Sequence, residues 1–269
     1  MARGEVTRAL PVYRVSPPYG ELRPLTVSAR ATVPLPPGTV VLVSGRDRAV
    51  DWSRLQRRVR SIRRSFPESP TVLLVPRSAD AYYTHLAGRA SALHVRAVLI
   101  EGEPLAETLR RELTEVPDLG TEVDEWLCLV GLPMSPATEK CIAGIFRASP
   151  GYTRMAELAK ATRTPMRTIR GWFQGDDLPP PSRWIGVART LRACLRLQRF
   201  RAEALLETSL EAGYCDASAL SRQLDRLFGL PVSAVRDLLG WEWVLARWLA
   251  REGCLTSYGG AATLHAELT

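Results

Sequence analysis

The hydrophobic periodicity of the chain changes once along its length, and that change constrains the fold more than any other feature. Between residues 39 and 116, three short apolar runs (Thr39–Val43, Thr71–Val75 and Val95–Ile100) alternate with three helical patterns (Trp52–Ser65, Ala79–Leu93 and Leu105–Leu113). Runs of Val, Leu and Ile this continuous suit strands buried on both faces, and strand–helix alternation implies right-handed crossovers and a parallel sheet. From Ser135 to about Arg251 no such run survives, and apolar residues recur three and four positions apart. The expected fold class is therefore α/β plus all-α: a small parallel-sheet domain over 39–116, a connection over 117–134 with a short helix at Val123–Val130, and an all-helical domain over 135–251. Residues 252–269 read as a flexible tail ending in small residues. Prolines at 11, 17, 18, 24, 34, 36 and 37 make residues 1–38 an extended arm with at most short strand-like pieces such as Thr26–Val33.

Composition narrows the function class. The 269 residues carry 36 Lys plus Arg against 28 Asp plus Glu, a formal charge of +8, and Lys140 and Lys160 are the only lysines. Arginine presents a rigid fork of donors that suits phosphates and guanine edges. No window reaches the roughly 20 apolar residues of a membrane helix and Met1–Leu10 has no apolar leader core, so no membrane partner and a cytoplasmic location are expected. Five widely spaced cysteines and three histidines without HExxH or CxxC spacing give no expectation of a disulfide framework, a metal site or a cofactor.

The helical half contains one motif twice. In the first copy, Arg154 to Phe173, Leu158-Ala159 lies on the inner face of a short helix, Arg163-Thr164 makes a tight turn, and Pro165 opens a second helix with Ile169 and Phe173 inward. That pattern is a helix-turn-helix, whose second helix can enter a major groove about 12 Å wide. Its outward residues are Arg167, Thr168 and Arg170. In the second copy Gly213 stops one helix, Asp216 or Cys215 caps the next, and Leu220, Leu224 and Leu227 repeat at helical spacing. The outward set there is Ala217, Ser218, Ser221 and Arg222.

Over Ala137 to Gly240 the sequence resembles the AraC-type transcription regulators, through Gly213-Tyr214, Asp216, Ser218, Leu220, Gly229 and Val235-Arg236. The resemblance implies two helix-turn-helix units joined by a long central helix, with recognition helices at Pro165–Gln174 and Ala217–Phe228 entering successive turns of the major groove. It implies double-stranded DNA as the partner, with Arg167, Thr168, Arg170, Ser218, Ser221 and Arg222 as reading residues and RNA polymerase as a further candidate partner. The chain departs from the family at Gly171, where Arg or Lys is frequent, at Leu224-Asp225 in place of a Phe-Lys pair, and at Thr208-Ser209. Residues 151–201 hold eleven basic and three acidic side chains, whereas 202–250 hold four and seven. The first unit should therefore supply most of the attraction for phosphates. On the connecting helix Arg189, Arg192, Arg196 and Arg199 form a stripe that either follows a phosphate backbone or is simply a solvated face. Together with Arg154 and Arg226, the residues Arg189, Arg192 and Arg196 are the phosphate-contact candidates.

The α/β domain resembles a shortened receiver domain that lacks a phosphoacceptor. Its first run ends in Ser44-Gly45 and its last in Glu101, where a receiver needs Asp and Lys; Asp47 and Asp51 follow the turn. It reads as a protein-interaction or dimerisation module that would give a homodimer, and no small inducer is expected. The six arginines between Arg54 and Arg64 are interrupted at helical spacing by Leu55, Val59 and Ile62, as on an exposed helix face, and the tryptophans fall in apolar patterns that suit a core. Phosphate-loop, dinucleotide and nucleophile-elbow motifs are absent, so an enzyme is not expected. Two functions stand: a sequence-specific DNA-binding regulator, and a regulatory protein that keeps the helical fold but acts through protein partners.

Overall fold

The computed structural model describes residues 10–26, 35–46, 52–78 and 81–255. Strands β3 (Val40–Ser44), β4 (Thr71–Val75) and β5 (Ala97–Ile100) run parallel in chain order, with Val41 opposite Thr71 and Val72 opposite Ala97. Every residue of β3 and β4 is buried, which is why their sequences show no polar alternation. Helices α1 (Trp52–Ser65) and α2 (Ala81–Gly88) cover one sheet face with Leu55, Val59, Ile62 and Leu86. Helix α3 (Leu105–Thr114) covers the other face with Leu109 and Leu113.

The sheet is mixed, which corrects the expectation of a purely parallel one. Strand β1 (Val12–Val15) lies antiparallel beside β3, and β2 (Arg23–Pro24) pairs antiparallel with β1, giving the order β2-β1-β3-β4-β5. Both come from the proline-rich segment read as an extended arm. Proline lacks a ladder donor but is tolerated on an edge strand, and β1 itself is proline-free, with Val12 and Val15 buried against the sheet. Residues 27–33 of the expected strand-like piece lie outside the described residues, as do residues 256–269 of the expected tail.

The helical half begins earlier than its sequence pattern suggests. Helix α4 spans Leu119–Val130, capped by Asp118, which accepts from the Thr121 amide, and closed by Gly131 in the left-handed region. Its Val123, Trp126 and Leu127 join one core with α5 (Pro136–Ala148), so the short helix expected at Val123–Val130 begins four residues earlier and is packed into the helical half. Then follow α6 (Met155–Thr162), α7 (Met166–Gly175), α8 (Pro181–Arg199), α9 (Leu205–Glu211), α10 (Ala217–Phe228), α11 (Val232–Asp237) and α12 (Glu242–Arg251). Helix α8 is the axis of this half. Trp184 on it is fully buried, edge-on to Phe146, Phe173 and, at 4.7 Å, Trp248. Truncation of such a side chain costs about 3–5 kcal/mol.

The two halves are bolted together. The buried Tyr19 hydroxyl donates to the Gly38 carbonyl at 3.2 Å and accepts the Leu239 amide at 2.6 Å. Leu239 completes the core under the sheet. Gly38 has φ +70, and a Cβ there would stand 3.0 Å from the Leu238 side chain, so both conformation and close approach require glycine. Arg110 on α3 donates to the Gln198 carbonyl of α8, and the Trp126 indole donates to the Pro67 carbonyl at 2.6 Å.

Candidate nucleic-acid interface

Helices α6 and α7, joined by a tight turn, occupy the segment expected as the first helix-turn-helix. Glu157 folds back to accept from the Thr153 and Arg154 amides, which anchors the start of α6 and holds its carboxyl below the usual range. Arg163 turns the chain at φ +51, its amide and that of Thr164 closing onto carbonyls of the last turn of α6. Pro165 then precedes α7, where a proline's missing amide costs nothing. Ile169 and Phe173 seat α7 on the core. With those two positions inward, Arg167, Thr168 and Arg170 are all exposed, and their side chains make no hydrogen bond or ion pair with the described residues. Exposed Arg154, Lys160 and Arg163 lie on the same two-helix unit.

Helices α9 and α10 form the second unit. Asp216 is its cap, accepting from the Ala219 amide at 2.6 Å, and Gly229 at φ +61 ends α10. Leu220, Leu224, Leu227 and Phe228 are buried, leaving Ser218, Arg222 and Arg226 outward. Ser221 is only half-exposed and its hydroxyl donates to the Ala217 carbonyl at 2.9 Å, so its proton is already engaged. Alongside stand exposed Asp225 on α10, and Glu207, Glu211, Leu206 and Leu210 on α9. The charge asymmetry of the sequence is thus a surface asymmetry.

Both units seat on α8. Phe173 of α7 meets Trp184, while Gln223 of α10 lies against Gly186, and the Tyr214 and Thr190 hydroxyls are 2.8 Å apart. At about 100° per residue, positions 184 and 186 lie about 160–200° apart around the helix, so the units flank the axis.

The arginines of the α8 stripe are half-buried and each has a partner within the chain. Arg189 donates to the Ala212 and Gly213 carbonyls and lies 4.5 Å from the centre of the Tyr214 ring, fixing the turn of the second unit. Arg192 donates to the Val116 carbonyl at 3.1 Å. Arg196 grips Glu203 through Nε at 2.7 Å, and Arg199 stands 3.3 Å from Glu115. Of the phosphate-contact candidates, Arg154 and Arg226 remain outward; Arg189, Arg192 and Arg196 are braces within the chain. A helical wheel gives the stripe but not the carbonyls that meet it, which come from positions far away in sequence.

At the carboxyl ends of β3 and β5, Arg46 connects Ser44 with Glu101. Arg46 holds Glu101 bidentately, at 2.5 and 2.6 Å, and the Ser44 hydroxyl accepts the Arg46 amide at 3.4 Å. Asp47 and Asp51 lie outside the described residues. On α1, Arg57, Arg60 and Arg64 are exposed, whereas Arg54, Arg58 and Arg63 are half-buried at the margins of the face made by Leu55, Val59 and Ile62, and Trp126, Trp184, Trp241, Trp243 and Trp248 are core residues. Among the described residues no helix is long and apolar enough to cross a membrane.

No family model matches the chain, and no curated protein or solved structure is significantly similar to it.

Proposed function

We propose that the protein is a DNA-binding transcription regulator of AraC type, which lays α7 in the major groove and reads bases or adjacent phosphates with Arg167, Thr168 and Arg170. The observation that carries this reading is the free polar ridge of α7: three outward donor side chains with no partner among the described residues, on a unit whose Arg154, Lys160 and Arg163 are also exposed. Such a ridge presents, on one helix, donors of the kind that direct readout requires. The second unit contributes Ser218, Arg222 and Arg226 more weakly, because Glu207, Glu211 and Asp225 repel phosphates beside them. In this reading the α/β unit is a receiver-like module without phosphoryl chemistry, offering a surface to a second copy, and RNA polymerase is a partner of the assembled regulator.

The test is a binding titration on random duplex DNA at two salt concentrations, followed by selection of bound sequences from a random pool. DNA binding predicts a steep fall of affinity with salt, each phosphate contact contributing about −0.9 to the log–log slope. Flat or absent binding sinks the reading. A second reading, a regulator that acts through protein partners, is favoured by the exposed Leu206 and Leu210 beside acidic residues on α9, a composition suited to a protein neighbour rather than a phosphate backbone. It predicts no salt-dependent affinity for duplex DNA.

A further inference from the structure

The carboxyl ends of the parallel strands open into a pocket of about 270 Å³ between the sheet and the start of α3. Its walls are Leu74, Leu99, Ile100 and Leu105, with Leu22 across the mouth. Ile100 and Leu22 are among the few large apolar side chains left exposed, at 40% and 41%. Besides Arg46 and Glu101, the polar side chains lining this largely apolar hollow are Thr108 and Glu103, and neither makes a hydrogen bond or ion pair with the described residues. Strand carboxyl ends in α/β sheets are where ligands ordinarily bind, and apolar walls with a few placed polar groups are what a ligand site needs.

The charge at the mouth indicates the sign of the ligand. Arg46 and Glu101 neutralise one another as a bidentate pair. The amino end of α3 adds a fractional positive charge, which Glu107 in its first turn offsets. Glu103 has no hydrogen-bond or ion-pair partner among the described residues, its electrostatic neighbour Arg111 being exposed and paired with Glu112. We propose that this pocket binds a small amphipathic amine, its apolar body among Leu74, Leu99 and Leu105 and its ammonium group at Glu103, with the Thr108 hydroxyl accepting a second hydrogen bond from it. The volume falls just below the 300–1,000 Å³ usual for ligand pockets, which limits the body to about one ring. An occupant would press on α3, the helix whose Arg110 braces α8.

The test uses three probes of one shape on the full chain, 2-phenylethylamine, 2-phenylethanol and phenylacetate, titrated by calorimetry and mapped by amide chemical shifts. The amine should bind saturably, with shifts centred on Leu99, Ile100 and Thr108, and about tenfold or more tighter than the alcohol. Glu103→Gln, a change at the pocket rim, should bring the amine down to the alcohol's affinity and leave the alcohol unchanged. Leu105→Trp should fill the pocket and abolish both. The proposal is overturned if no probe binds, if phenylacetate binds tighter than the amine, if the shifts map elsewhere, or if Glu103→Gln leaves the amine's affinity intact.

Discussion

The Leu239 amide donates to the Tyr19 hydroxyl at 2.6 Å, a hydrogen bond across 220 positions that joins the strand-rich half to the segment between α11 and α12. The same hydroxyl donates to Gly38, so one phenol satisfies a buried donor and a buried acceptor at the seam. Tyr19→Phe keeps the ring and strands both groups. Leaving such a donor unpaired costs about 1–3 kcal/mol, and urea unfolding should show a loss of that size in one transition that carries both halves. Two separated transitions in the wild type would show that the seam is not a structural bolt.

The same phenol makes stability depend on alkaline pH. Burial raises Tyr19 from 10.0 to about 12. The folded protein thus holds the phenolic proton more tightly than the unfolded chain does, and the contribution is whole below pH 10 and lost as pH climbs to about 12. The shift corresponds to about 2–3 kcal/mol. Thermal unfolding from pH 9 to 12 should show a fall in the wild type that Tyr19→Phe lacks; parallel curves would refute the assignment.

Arg96 is the second bolt. Its Nε lies 2.8 Å from Glu242 Oε1, angled away from a true hydrogen bond, and its Nη1 lies 2.8 Å from Glu122. Burial raises the Glu242 carboxyl, with Arg96 the main counterweight. Arg96→Met removes that counterweight and should cost about 3–5 kcal/mol, the penalty of an unpaired buried charge. Because a carboxyl with a raised folded pKa stabilises only below its unfolded value, the variant should be most stable at acid pH and weaken as pH rises. Adding Glu242→Gln should return much of the loss near neutrality, as a double-mutant cycle in urea would measure.

The sequence made legible whatever local periodicity decides. Strand β4 falls at the expected Thr71–Val75 and α1 at Trp52–Ser65. What escaped it depends on distant partners. Val12 and Val15 are too short a run to stand out among prolines, and only pairing with β3 makes them a strand. The three outward residues of α7 follow directly from Ile169 and Phe173 pointing inward. The α8 stripe is equally periodic, but its partners within the chain are invisible to periodicity, because Val116, Glu115 and Gly213 fold onto it from elsewhere in the sequence.

Gly171 interrupts α7 on its exposed side, and nothing lies within 4 Å of where a Cβ would be. Gly171→Ala should therefore stabilise the protein by about 0.5–1 kcal/mol through helix propensity alone. Gly171→Arg should add a cation beside Arg167 and Arg170, tightening binding to random duplex and steepening the salt slope by up to about 0.9. An affinity and slope equal to those of Gly171→Ala would place that face of α7 away from DNA.

Arg170 and Arg196 separate reading from bracing. Glu203 takes the Nε and Nη2 edge of the Arg196 fork, and Glu207 and Glu211 lie within 4.0 Å, so three carboxylates compete with any phosphate for this cation. Arg196→Ala exposes these three carboxylates to mutual repulsion. With a third of the side chain open to solvent, the cost is screened to about 1 kcal/mol, and duplex affinity should be unchanged. Arg170→Ala should do the reverse, leaving unfolding in urea unaltered because the side chain is exposed and makes no hydrogen bond or ion pair with the described residues, while lowering affinity for the selected site by about 1–3 kcal/mol if it reads a base. Arg167→Ala should behave likewise, and whichever of the two reads a base should also relax the selected sequence at one position. If Arg196→Ala weakens DNA binding as much as Arg170→Ala, the α8 stripe faces the duplex after all, and α7 is not the recognition helix.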